Sequence, residues 1–331
     1  AGRLAWAVEM MAGLGDRLPS SLPEIYAAEA IHLHERQQSE LKLQAASVGG
    51  IGNTALPNEV VALTGLKIKA RSPLVPTMNI ELANGADGYI PPPEQHHLGG
   101  YITWPARTAG LEVEAEPRIV ETVLSLLEEV SGKPRRVPVL EHGPYAQAVL
   151  ADHPLAYWRL DEMTWPAVSD AGPHGRAAVM EPGVAVYLPG AGSGSGHRPA
   201  PALVASHFSG PQINRAVHCA GGRVTAEMPL GDVYTAEFWV WNGLPAGERA
   251  VTGYCFSRGV DGDAVARGEH LGIGGTHLPE TTGRLFLFNG NERNEVLAGR
   301  TVLATKQWHH VVLVRDGASV RVHLDGAVVP E

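Results

Sequence analysis

Leu56-Pro57-Asn58-Glu59 closes one apolar run, and Ala83-Asn84-Gly85-Ala86-Asp87-Gly88-Tyr89-Ile90-Pro91 closes a second, strand-like run at 78–82. The first places a carboxylate directly after a proline turn. The second places a tyrosine in a turn too rich in Gly and Asn to be core. Both residues fall where strands end, and strand ends are where α/β proteins carry their chemistry. Each also has a plainer use. Glu59 could be the N-terminal charge of a following helix, and Tyr89 a packing residue in a turn.

Working outward, the first 130 or so residues alternate helix and strand signals. Ser20-Ser21-Leu22-Pro23-Glu24 supplies a hydroxyl cap, an early proline and an early carboxylate, which predicts a helix reaching His34. The runs 41–48 and 51–56 flank Gly49-Gly50, a hairpin signal. Residues 60–70 predict a short helix that stops before Arg71-Ser72-Pro73. Pro117 opens a stronger one, with Ile119, Val120, Val123, Leu124, Leu127 and Val130 on its apolar face and Gly132 as its stop.

Residues 133–144 carry prolines and charges with little periodicity and predict a linker. Beyond it the texture changes to short β-rich runs punctuated by Asn242-Gly243, Asn289-Gly290, Asp316-Gly317 and Asp325-Gly326. That spacing predicts an antiparallel β-sandwich. Phe238-Trp239-Val240-Trp241 and 308–314 are its longest apolar strands, so Trp239 and Val312 are expected to face its core. Gly192-Ser193-Gly194-Ser195-Gly196 predicts a flexible loop and lacks the lysine of a phosphate cradle.

With 331 residues the chain has room for two cores. A net charge of −9 argues against non-specific nucleic-acid or anionic-membrane binding. No apolar run is long enough to predict a transmembrane segment. The first residues carry neither an initiator Met nor a signal pattern, and the last stop just after a hairpin turn, so the chain is expected to be cut at both ends. Cys219 and Cys255 are expected as two small buried residues or one disulfide.

Two resemblances sharpen these expectations. From about residue 145 onward, Ala156-Tyr157-Trp158-Arg159-Leu160-Asp161-Glu162, Asp170-Ala171-Gly172, Thr235-Ala236-Glu237-Phe238-Trp239-Val240, Trp308-His309-His310 through Asp316-Gly317, and Val322-His323-Leu324-Asp325-Gly326 occur in the order of a laminin G-like, concanavalin A-like domain. This implies a jelly-roll that lacks its last strands. Such domains bind glycans or proteins, and some use calcium. Asp161, Asp170, Asp261 and Asp263 could supply its oxygens, or serve as ordinary turn and strand-end residues. His309-His310 alternates across a strand, so its rings should point to opposite faces and serve structure.

From roughly residue 41 to 130 the chain resembles the C-terminal part of the neutral/alkaline ceramidase catalytic domain. The resemblance implies that Glu59 and Tyr89 are ligands of a catalytic zinc and that Tyr101, in Leu98-Gly99-Gly100-Tyr101, steadies the oxyanion of an amide transition state. Asn58 stands where the family has glycine, Ile102 where it has glutamate, and the segment between Glu59 and Tyr89 is shorter than usual. The family's two histidine ligands and its serine chemistry lie upstream of the matched part. His32 and His34 diverge on their helix. His96-His97 could face substrate or solvent.

The expected architecture is therefore multidomain: an α/β part at 1–132, a linker at 133–144 and an all-β antiparallel jelly-roll at 145–331. An enzyme is one expectation: a zinc-dependent amidohydrolase acting on a lipid-linked amide, secreted, periplasmic or at the cell surface, with the sandwich tethering it to glycan or a surface protein and this part alone inactive. The other is a binding protein that carries a degenerate catalytic remnant.

Overall fold

The computed structural model describes residues 2–139, 142–192, 214–260, 268–289 and 296–331. Asp261, Asp263, Gly290 and the stretch 193–196 lie outside the described residues. The chain divides into two compact units. The first takes Ala1–Glu141, Pro154–Leu188 and Val217–Ala226; the second takes His142–His153, Pro189–Ala216 and Glu227–Glu331.

The first unit is α/β. Its largest core cluster is organised by the helix Ala115–Ser131, whose Ile119, Val120, Val123, Leu124 and Leu127 are all buried against Leu56, Ile68 and Ile90. Recurrence at three- and four-residue steps puts these five on one stripe. Val130, expected on that stripe, is exposed at its end. Gly132 stops the helix in the left-handed conformation, φ 65°, which glycine adopts without a Cβ penalty. A three-stranded mixed sheet joins this core: Gln44–Val48 runs antiparallel to Ile51–Ala55, which runs parallel to Thr77–Ile80. The crossover between the parallel pair contains the helix Ala62–Arg71. The helix Leu22–Glu35 begins at Ser21 with a capping box to Glu24, as its sequence predicts. The preceding helix, Gly2–Ala12, carries no cap signal and was not legible.

The expected linker is anchored at its start. Arg136 N–H donates to the Arg71 carbonyl, and Arg135 pairs with Glu121 and Glu128 at 2.6 and 2.7 Å. Farther on, Pro144–Ala151 is a helix. Residues 154–188, read from sequence with the sandwich, cluster with the first unit. There, Ala178–Met180 pairs antiparallel with both Ala167–Val168 and Val224–Thr225 around buried Val168, Met180 and Val184.

The second unit is antiparallel β. Val233–Trp241, Trp308–Asp316 and Ser319–Leu324 form one sheet with Trp308–Asp316 in the middle. Val251–Arg258, Glu269–Gly274, Arg284–Phe288 and Val296–Val302 form another. Leu271, Ile273, Leu285 and Leu287 of the second sheet share a cluster with Val311, Leu313, Leu324, Ala236, Phe238 and Val240 of the first, so the sheets meet across one apolar layer. A charged clasp closes part of this layer. Buried Glu269 accepts from the Tyr234 hydroxyl and from Arg315, with Arg258 at 3.7 Å. Burial, then Glu269, pushes the Tyr234 phenol up to about 12.

The strand register corrects one expectation. Trp239 pairs with His310, and Phe238 with Val311. Because side chains alternate, Trp239 and Val312 lie on the face opposite the shared core, and Phe238, Val311 and Leu313 face it. Trp239 packs instead with Trp308 and Trp241, stacks on His310 at 4.8 Å, and donates Nε1–H to the Tyr145 hydroxyl at 2.9 Å. Both faces of this sheet are apolar enough to be covered, so hydrophobicity alone did not tell them apart. His309 is buried between Asp325 and the Ala304 carbonyl, while His310 meets Glu237 on the other face. The two rings do point apart. No disulfide joins Cys219 and Cys255, and Cys219 is exposed.

Leu313→Ala should therefore destabilise the second unit by about 2–5 kcal/mol. Val312→Ala, one residue away, should cost less than about 1 kcal/mol. Denaturant unfolding checks the pair; equal losses would contradict the register.

Candidate functional site

Two very short strands build the site. Glu59–Val60 pairs in parallel with Tyr89–Ile90, with Glu59 directly opposite Tyr89. Residues opposite one another in a parallel ladder project to the same face. The carboxylate and the phenol are therefore neighbours. The Gly88 carbonyl accepts the Glu59 N–H at 2.8 Å and continues the ladder backward.

The backbone before each strand is left-handed. Asn58 has φ 69° and is fully buried. Its side-chain oxygen accepts the Asp87 N–H at 2.6 Å, its own N–H donates to Gly85 at 3.2 Å, and its carbonyl accepts from Leu82 at 3.0 Å. Asn tolerates this conformation far better than most residues because its short amide bonds locally. Asn58 thus suits a position that otherwise favours glycine. Gly88 has φ 105°, and a Cβ there would stand 2.1 Å from the Thr108 carbonyl oxygen. No side chain fits.

Tyr101 starts a 3₁₀ turn after Gly100 and is 60 % exposed. Its ring meets Tyr89 edge-on, centroids 5.6 Å apart. Trp104 follows at 6.3 Å from Tyr101, and Tyr26 at 5.8 Å from Trp104. The structure thus brings Glu59, Tyr89 and Tyr101 together and extends them into an aromatic row that sequence reasoning missed. Loss of hydration, then the Glu59 charge, then Tyr101, hold the Tyr89 phenol above its ordinary value. In that state Tyr89 is a neutral hydroxyl. A cation shared with Glu59 would reverse the balance, because it would favour the phenolate.

The other candidates have contacts of their own. His32 and His34 lie two apart on Leu22–Glu35 and leave it on different sides. His96 and His97 are half-buried, and burial lowers both from the usual histidine range. His97 packs against Trp165 at 4.4 Å and accepts the Gly183 N–H at 3.4 Å. Asp170 accepts three backbone N–H groups, from Tyr157, Gly172 and Arg176, at 2.7–2.8 Å. Asp161 pairs with Arg159 at 3.3 Å. Both aspartates belong to the first unit. Their oxygens anchor turns and an ion pair.

Comparison with family models, curated proteins and solved structures finds no match. The chemistry of the site rests on its own donors. Carboxylate and phenol oxygens suit zinc as two members of a ligand set, and a catalytic zinc takes three or more protein ligands. Among the described residues no group of three or more His, Cys, Asp or Glu could hold a metal.

Asn58→Gly should keep the left-handed turn and lose only the Asp87 bond. Asn58→Ala should lose both, and so be less stable than Asn58→Gly by about 1–2 kcal/mol. Gly88→Ala should disrupt the ladder outright. Thermal unfolding of the three variants checks the order.

Proposed function

We propose that the first unit is the C-terminal part of a zinc-dependent amidohydrolase of the neutral/alkaline ceramidase kind, acting on an N-acyl amide. The observation that carries this is the parallel register of Glu59 with Tyr89, with the Tyr101 ring against Tyr89. Glu59 and Tyr89 would hold the metal, and the remaining ligands, two histidines, would come from outside these residues. Bound there, zinc supplies Lewis-acid polarisation of the amide and activation of the attacking group.

The chain's own residues do the rest. Glu59 would offset the metal's charge with an oxygen held at the open end of a strand. With a cation shared between it and Glu59, Tyr89 would serve as the second oxygen ligand, its phenol proton passing to water. Tyr101, exposed beside it, donates O–H to the oxygen on which negative charge develops. One such donor in a comparable hole is worth roughly 2.7–4 kcal/mol. The Tyr101–Trp104–Tyr26 row gives the apolar part of an amphiphilic amide a surface on which to lie.

We further infer that the two sheets of the second unit are a laminin G-like jelly-roll that binds glycan or a surface protein, in a protein secreted or held at the cell surface. Their shared apolar layer is compatible with that fold. No helix among the described residues is long and apolar enough to cross a membrane. A binding protein with a degenerate catalytic remnant is the alternative. It is favoured by Ile102, which takes the place of an acidic neighbour of Tyr101.

The test is hydrolysis of an N-acyl sphingoid amide by the complete zinc-loaded protein that contains this chain. Glu59→Ala and Tyr89→Phe should abolish it, and Tyr101→Phe should lower kcat about 10²–10³-fold with little change in KM. Full activity in Glu59→Ala sinks the assignment. Absence of activity in the unmodified protein favours the remnant.

A further inference from the structure

Three charged side chains are buried together in the first unit, each from a different element. Lys67 Nζ, on the helix after Glu59, lies 2.8 Å from Glu94 Oε2 and 3.3 Å from Glu116 Oε2. Glu94 sits on Pro93–His96, between Tyr89 and Tyr101, and Glu116 opens the core helix Ala115–Ser131. The three side chains are only 12 %, 7 % and 1 % exposed. One ammonium cannot neutralise two carboxylates, and an excess charge away from water is costly.

The cluster has one oxygen to spare. Glu116 Oε1 and the Thr64 hydroxyl are both buried without a well-formed hydrogen bond, and each is the other's polar neighbour. A carboxylate oxygen left bare is unfavourable, whereas a protonated one presents a donor. Burial pushes the Glu116 carboxyl up, and the Glu94 charge adds to this; Lys67 and Thr64 pull it back without prevailing. His97, a titratable neighbour of Glu94, feels that carboxylate, but burial keeps its ring below the usual histidine range.

We propose that Lys67 is a positioning residue that clamps the Tyr89–Tyr101 segment to the helix following Glu59, and that ionisation of Glu116 loosens this clamp. The inference rests on Glu59, Tyr89 and Tyr101 forming one site. With Glu116 neutral, Lys67 serves Glu94, and the segment is held at Glu94 as well as at the Tyr89 ladder. With Glu116 ionised, two carboxylates compete for one ammonium and repel each other in a poorly solvated place. The sign follows. The protonated form of Glu116 stabilises the fold below the ordinary carboxylate range, and that contribution is lost as pH rises through the raised folded value.

The experiment follows the Glu116 carboxyl and the Tyr89 and Tyr101 rings by NMR across pH in the full chain, with ¹³C-labelled Glu and Tyr. Glu116 should titrate above the ordinary carboxylate range, and the Tyr101 ring signals should move over the same interval. Glu116→Gln, a neutral isostere that keeps the fold, should abolish that movement. Glu94→Gln should bring the Glu116 titration down, because Lys67 then serves it alone. A Glu116 titration in the ordinary range, ring signals that titrate unchanged in Glu116→Gln, or a Glu116 titration indifferent to Glu94→Gln would each overturn the proposal. These signals need neither substrate nor zinc, so their failure is separable from failure of the amidase assignment.

Discussion

A two-residue ladder sets where the candidate chemistry sits, and it is too short to hold itself. Glu59–Val60 against Tyr89–Ile90 survives because each strand enters it from left-handed backbone that only a few residues accept. Asn58 satisfies that demand with a side chain that also ties down Asp87. Gly88 satisfies it by having no side chain beneath Thr108. Under the ladder, Leu56 and Ile90 are fully buried in the cluster formed on Ala115–Ser131. The core thus fixes one side of the strand pair and leaves Glu59 on the exposed side. Burial and positive φ, rather than hydrogen-bond number, put the carboxylate beside the phenol.

The site is built from segments whose polar ties run sideways as well as downward. Lys67 connects the helix after Glu59 to the turn before Tyr101 and to the core helix in one contact set. Glu29 does similar work farther out, pairing with Arg107 at 2.7 Å. Burial, not exposure, gives the Lys67 set its weight, because water competes poorly there. The aromatic row from Tyr89 to Tyr26 is held differently, by edge-to-face packing at 5.6–6.3 Å, and its middle members Tyr101 and Trp104 remain 60 % and 46 % exposed.

How much of this was legible depended on whether the signal was local. The stripe from Ile119 to Leu127, the Ser21–Glu24 cap and the Gly49-Gly50 hairpin are local, and the structure carries them where periodicity and caps predict. Glu59 and Tyr89 were singled out by their turns and by resemblance; their pairing needed the fold. The Lys67 cluster was invisible because its members are far apart in sequence and each reads as an ordinary surface charge. Trp239 was misassigned for a different reason: its strand is apolar on both faces, so alternation carries no sign and only pairing with His310 sets it. His97 likewise depended on a partner, Trp165, that sequence reading gave to another domain.

The most direct measurement is the anomalous zinc signal in crystals of the complete protein. The account predicts one ion within about 2.0–2.2 Å of a Glu59 carboxylate oxygen, with the Tyr89 phenol oxygen in the same coordination shell. An ion bound elsewhere, or one that touches Glu59 while the Tyr89 oxygen points away, would contradict it.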